Sequence, residues 1–277
     1  MLALIISFII SILISGACIA SEIKSGTVAY GILGFIVSQV LISFLVRKKI
    51  KAVNEALQEM LATGQKRLQH KINQFQNKPG GNPSLIQRQV EREQHALFRK
   101  ALEFADKLEP FRKWNVLMEK QISTLRLQFL YQLKEFNQVD ELFSKGFLTG
   151  PILSDPMLVA MKMARQYESK NVKGAHKTFK RYVRWFRNDS GALLYGVMSW
   201  IYVKQNQVDD ARQLLTKAKE KMHHDVIARN WEMLANDRAK SFSNAGFGDQ
   251  WYGLYLEKTP APKQKRMRGN AKGRRPF

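Results

Sequence analysis

The chain has 277 residues, 45% hydrophobic and 25% charged, which excludes wholesale disorder and leaves room for one domain of ordinary size plus accessory segments. Lysine and arginine outnumber aspartate and glutamate by 45 to 23, a net charge of +22, so the implied partners are anionic: phospholipid head groups, nucleic acid or an acidic protein surface. The single cysteine, Cys18, excludes an internal disulfide framework and a thiolate zinc site.

From Leu2 to Ala20 the chain carries no charge, and its only interruptions are Ser7, Ser11, Ser15 and Gly16. About 20 such residues suffice to cross a bilayer. After the short polar link Ser21 to Gly26, a second uncharged stretch runs from Thr27 to Val46 and stops at Arg47-Lys48-Lys49. So short a link allows only a tight hairpin, which defines a first segment, 1–46. Ser7, Ser11 and Ser15 form a row of small residues four apart, with Thr27/Gly31 and Gly34/Ser38 as matching gaps on the second helix, the spacing that close packing in hydrocarbon favours. Arg47, Lys48, Lys49 and Lys51 flank the second span against one lysine, Lys24, in the link. That bias predicts a multi-pass protein of the inner membrane with both termini cytoplasmic. A cleaved signal peptide is the competing reading, and the missing basic start speaks against it.

Val53, Leu57, Met60, Leu61, Leu68, Ile72 and Phe75 recur three and four apart, predicting a basic amphipathic juxtamembrane helix within 47–83. Its apolar stripe suits an anionic membrane surface, a coiled coil with a second copy, or its own domain, and Gly64 interrupts the rod. Lys78-Pro79-Gly80-Gly81-Asn82-Pro83 breaks the helix. Periodicity resumes at Ser84, read as an N-cap, and continues through Val90, Leu97, Leu102 and Phe104 toward Pro110.

Within 84–258 an internal similarity stands out. Asn137-Gln138-Val139-Asp140-Glu141-Leu142 returns as Asn206-Gln207-Val208-Asp209-Asp210-Ala211, 69 residues on, with Asn171-Val172-Lys173-Gly174-Ala175 between them. Spacings of 34 and 35 between the asparagines match a two-helix repeat period. Over about 119–240 the chain resembles the tetratricopeptide-repeat family, most clearly in the last unit, where Tyr202 precedes Ala211 and where Leu215 and Ala218 follow at the packing positions. The first unit departs from that pattern at Gly146. The resemblance implies an α-solenoid whose first helices line a peptide-binding groove, hence a protein-interaction module with an unnamed partner. The overall layout, two membrane helices followed by helical repeats, is also similar to that of the HemY family of bacterial membrane proteins.

Lys177, Lys180, Arg181, Arg184 and Arg187 form a basic stripe beside Phe179, Tyr182, Val183 and Phe186, with Trp185 among them. Cations on phosphates and a stacking indole would suit nucleic acid, but the repeat periodicity favours a solvated helix face with buried aromatics. His223-His224-Asp225 suggests a metal or acid–base site, but adjacent residues on a helix point apart, which favours a polar helix end. Glu91 and His95 stand four apart without a third ligand. No phosphate-binding glycine loop or nucleophile elbow occurs, so neither an enzyme nor a cofactor or metal site is expected. Phe242, Phe247, Trp251, Tyr252 and Tyr255 are expected to cap the last repeat, with docking of a partner as the alternative. The segment 259–277, with Arg266, Arg268, Arg274 and Arg275, is too polar to bury a core and is expected to be disordered.

The composite expectation is an all-α protein: a transmembrane hairpin, a helical-repeat domain and a basic tail. Its expected role is a membrane adaptor that gathers protein partners in its groove. Arg47, Lys48, Lys49, Lys180, Arg181, Arg184 and the tail arginines would contact anionic lipid. A membrane-tethered nucleic-acid-binding protein is the alternative, and self-association through the membrane or juxtamembrane helices is a further candidate.

Overall fold

The computed structural model describes residues 2–20, 27–77, 83–114, 117–145 and 155–260. The polar link, most of the Pro/Gly linker, Gly146 and the arginines of the basic tail lie outside the described residues. Every regular element among the described residues is helical, and the chain divides into two compact units, 1–118 with 260–277 and 119–259.

In the first unit, α1 (Leu2–Ala20) pairs antiparallel with the N-terminal part of α2 (Thr27–Asn77). Both are long and apolar enough to cross a membrane. The serine row faces the partner helix: the Ser7 hydroxyl, fully buried, donates to Gln39 Oε1 at 2.9 Å, and Ser11 donates to the Gly31 carbonyl at 2.7 Å. Gly31 is what admits the row, because a Cβ there would run into Ser15 Oγ. Away from this seam the helices expose Phe8, Leu13, Val28, Val40 and Phe44, the outer surface that a bilayer can cover without a free-energy penalty.

α2 continues beyond Val46 without a break, for 51 residues in all, so span and juxtamembrane helix are one element. The reason is compositional: no proline lies between Thr27 and Asn77, and Arg47 to Lys51 are good helix formers. Its distal apolar stripe is covered by α3 (Pro83–Leu108) of the same chain, which returns antiparallel. Of the three readings of that stripe, packing on its own chain is the one observed, with Leu57 and Phe75 buried. Gly64 lies at this seam rather than weakening a rod, since a Cβ there would come within 2.6 Å of both Leu97 methyl carbons. Lys71 and Glu93 pair across it at 2.5 Å, holding the Glu93 carboxyl below its ordinary value chiefly through that hydrogen bond. The helix begins one residue before Ser84, with Pro83 at its first position, where a missing amide costs nothing. After α3 a 3-10 turn over Glu109–Phe111 leads to Lys113, whose carbonyl accepts from the Leu2 amide at 3.0 Å. One of the orphan donors at the start of α1 is satisfied in this way.

The second unit consists of short helices joined by a recurrent turn. The helices are α4 (Met118–Gln132), α5 (Phe136–Ser144), α6 (Pro156–Glu168), α7 (Val172–Tyr182), α8 (Ala192–Lys204), α9 (Val208–Lys219), α10 (Asp225–Ala235) and the single turn α11 (Asp249–Tyr252). α4, α6 and α8 each end in a left-handed residue, Lys134 (φ 61°), Lys170 (φ 61°) and Asn206 (φ 60°). The following amide reaches back five residues each time: Glu135 to Leu130, Asn171 to Gln166, and Gln207 to Tyr202. These are helix C-caps of the Schellman kind. Val139, Ala175 and Ala211 then occupy equivalent buried positions one turn into α5, α7 and α9. The turns recur at intervals of 36 residues, so the structural period differs from the 34 and 35 of the asparagine spacing. Asn206 sits in the turn, whereas Asn137 already lies inside α5; the turn equivalent of Asn206 is Lys134. The six-residue match between units one and three is therefore three residues out of structural register.

α6 lies against α7 and α8, and α8 lies against α9 and α10. In α8 every residue from Ala192 to Ile201 is buried, the mark of a helix covered on all sides. Ser199, buried there, donates to the Gly196 carbonyl at 3.0 Å.

Candidate functional site

The first helices α4, α6, α8 and α10 share one face of the second unit, and the segment from Phe242 to Glu257 runs across it. Near α10 and α8, Asn230 Nδ2 donates to Asn244 Oδ1 and Asn244 Nδ2 donates to the Gly196 carbonyl, both at 2.8 Å, with Asn244 fully buried. Phe247 occupies the space left by the missing side chain of Gly196, 2.6 Å from where a Cβ would stand. Further along, the Trp251 ring meets Trp200 of α8 edge-on at 5.7 Å. Both indoles donate to one carboxylate: Trp200 Nε1 to Glu257 Oε1 at 2.7 Å and Trp251 Nε1 to Glu257 Oε2 at 2.8 Å. At the α4 end the Tyr131 hydroxyl donates to the Leu254 carbonyl, and Tyr255 donates to the Gln132 carbonyl at 3.0 Å while its ring stacks on Tyr131. Burial raises the Tyr131 phenol well above its ordinary value, with Arg165 opposing the shift.

The aromatics after Lys240 thus lie against several helices of the second unit. They reach back to α4, because Gly248 (φ 60°) turns the chain, Trp251 meets Trp200 of α8, and Leu254 accepts from Tyr131 of α4. Burying Leu254 alone is worth about 2 kcal/mol, and Trp251, with no exposed surface, more. The glycines at 246, 248 and 253 were the available signal in the sequence, but nothing there specified which helices the segment would cross.

Beside Phe247 lies a cleft of about 190 Å³ at the starts of α6, α8 and α10, lined by Asp155, Met157, Asp189, Ser190, His224 and Gln250. Asp155 caps α6 by accepting from the Met157 amide at 2.9 Å. His224 does the same for α10, its Nδ1 facing the Val226 amide at 3.3 Å while its ring stacks on Phe247 at 4.9 Å. The His223-His224-Asp225 triplet is therefore a helix start, and no group of three or more potential metal ligands converges among the described residues.

On α9, Ala211, Leu215 and Ala218 have no exposed surface, and Tyr202, near the end of α8, is partly buried with its ring 6.2 Å from that of His176. Burial and then Lys180 lower the His176 pKa below its ordinary value, with Asp210 opposing them. Burial, aided by Asp210, raises the Tyr202 phenol.

The basic stripe divides between two elements. α7 ends at Tyr182 and a 3-10 turn carries Val183–Trp185, so Arg187 lies past the helix in extended backbone. Phe179 and Tyr182 are buried, whereas Lys177, Lys180, Arg181, Arg184 and Arg187 are exposed and form no ion pair. Trp185 is 49% exposed, with the Arg184 guanidinium 5.4 Å from its ring centre. Beneath the stripe, Lys162 is half-buried; burial first and Arg181 second lower its pKa. Arg47, Lys48 and Lys49 are exposed on α2, directly after its apolar stretch. Contacts that sequence reasoning missed are Ser7–Gln39, the Asn230–Asn244–Gly196 chain and the Glu257 clasp. Each joins residues far apart in sequence without a local pattern.

Compared with models of protein families, with curated proteins and with solved structures, the chain matches none.

Proposed function

We propose that this chain is a membrane-anchored adaptor: α1 and the start of α2 cross the bilayer as a hairpin, and a tetratricopeptide-like repeat unit on the cytoplasmic side gathers protein partners. The observation that carries this reading is the same C-cap turn at Lys134, Lys170 and Asn206, 36 residues apart, each followed by a second helix with a small or branched buried residue. Such units leave apolar faces that only neighbours or a ligand can cover. The orientation rests on Arg47, Lys48 and Lys49. It draws further support from Arg112 and Lys113, which the hydrogen bond from Leu2 places at the same end of α1.

In this reading Arg47, Lys48, Lys49, Lys180, Arg181, Arg184 and the tail arginines Arg266, Arg268, Arg274 and Arg275 contact anionic phospholipid, at about 1 kcal/mol for each cation near the surface. A second reading, membrane-tethered binding of nucleic acid, is favoured by the unpaired cations around the exposed Trp185.

Crosslinking in native membranes, followed by identification of captured species at low and high salt, separates the two. Salt-insensitive protein partners are expected for the adaptor. Capture of only lipid and nucleic acid, lost steeply with salt, would remove that reading.

A further inference from the structure

We propose that the face formed by α4, α6, α8 and α10 is a peptide-binding surface and that Asn244 to Glu257 is its resident, displaceable occupant. The partner would be a protein carrying a compact, turn-rich segment with aromatic and aliphatic anchors, as the resident segment has. This inference rests on the adaptor reading and specifies its ligand.

The face requires an apolar cover. α8 is buried from Ala192 to Ile201, and the resident segment supplies the cover over Gly196 and Trp200 with Phe247 and Trp251. An occupant that takes its place must bury the same surface, which calls for aromatic and aliphatic anchors rather than a charged chain.

The segment is built to leave as one piece. Its backbone hydrogen bonds that are resolved stay within it: Phe247 to Asn244, Trp251 to Gly248, Gly253 to Asp249, Leu254 to Trp251 and Tyr255 to Tyr252. It is held to the helices by side chains, namely Asn244, the Tyr131 and Tyr255 hydroxyls, and Glu257 between the two indoles. Detachment therefore breaks no helical ladder. One residue holds strained backbone in the seated form, Tyr255 at φ 58°, while Gly248 at φ 60° makes a turn that glycine alone adopts freely. Glu257 supplies the latch, since loss of one carboxylate releases both Trp200 and Trp251.

Hydrogen exchange of the full chain in nanodiscs tests separability without any substitution. Amides from Phe247 to Tyr255 should exchange about tenfold or more faster than those of α8. Equal protection of the two would overturn the proposal, because the segment would then open only when the unit unfolds. A labelled synthetic peptide copying Asn244–Glu257 tests replacement. It should bind Glu257→Gln and Gly248→Ala variants about fivefold or more tighter than the unaltered protein, since a weakened resident frees the face more often. Gly248→Ala meets no neighbouring atom and acts through backbone strain alone, so it leaves the helices untouched. Exchange in α6 and α8 reports whether each variant is folded. A folded, open variant that fails to bind the peptide would also overturn the proposal. Partner capture that persists with a non-exchanging segment would instead locate adaptor binding on another face, separating the two failures.

Discussion

The Tyr131 hydroxyl donates to the carbonyl of Leu254 at 2.8 Å, joining α4 to a residue 123 positions later. This bond closes the segment over the inner face at its far end. Tyr131→Phe removes the donor, leaves the ring stacked on Tyr255, and strands a carbonyl on the nearly fully buried Leu254. We expect a loss of about 1–2 kcal/mol, read as a lower urea midpoint with unchanged helical content.

In the anchor, Ser7→Ala and Gly31→Leu act on one seam by different means. Removing the Ser7 hydroxyl forfeits its bond to Gln39 and should cost about 0.6 kcal/mol, the average for such bonds between membrane helices. Gly31→Leu drives a side chain into Ser15 and should separate the helices. Exchange between donor- and acceptor-labelled α1 and α2, measured as energy transfer in micelles, should change little for the first variant and fall clearly for the second.

Reversing Lys180, Arg181 and Arg184 to glutamate should leave stability within about 0.5 kcal/mol, because the three are exposed and unpaired. Contact of Trp185 with anionic vesicles or with single-stranded nucleic acid, followed by indole fluorescence, should be lost. Competition between the two ligands on the unaltered protein would show which holds the indole more tightly.

His176 gives a pH dependence of known sign. Its folded pKa lies below the ordinary value, through burial and Lys180, so the unfolded chain takes up the proton first as pH falls. Its contribution to stability is complete above about pH 6.5 and is lost as pH falls through the folded value. Unfolding midpoints at about pH 7.5 and about pH 5 should therefore differ less in His176→Gln than in the unaltered protein.

The pair of long apolar helices was legible in the sequence because its signals are local: two uncharged runs, a short link and a basic stop. The serine row was legible too, since spacing by four places residues on one helix face. The continuity of α2 was less so, because a change from apolar to basic residues marks a change of solvent and not of backbone. The repeat turns were visible through Asn171 and Asn206, yet the best-matching stretch, at Asn137, was three residues out of register. Turn geometry depends on which residue adopts φ > 0, and lysines at 134 and 170 carry no such signature. The inner-face segment was read only as a set of aromatics, since its partners Gly196, Trp200 and Tyr131 are fixed by tertiary packing alone.

The uninterrupted course of α2 from apolar to polar surroundings makes it a lever. With no hinge at Val46, a tilt of its apolar part is carried undiminished into the roughly 30 residues that follow, about 45 Å of helix. A tilt of about 20°, usual for a membrane helix, moves the far end sideways by roughly 15 Å. In the proposed membrane setting bilayer thickness, one of the factors that bias such a tilt, thereby becomes a mechanical input to the α2–α3 pair.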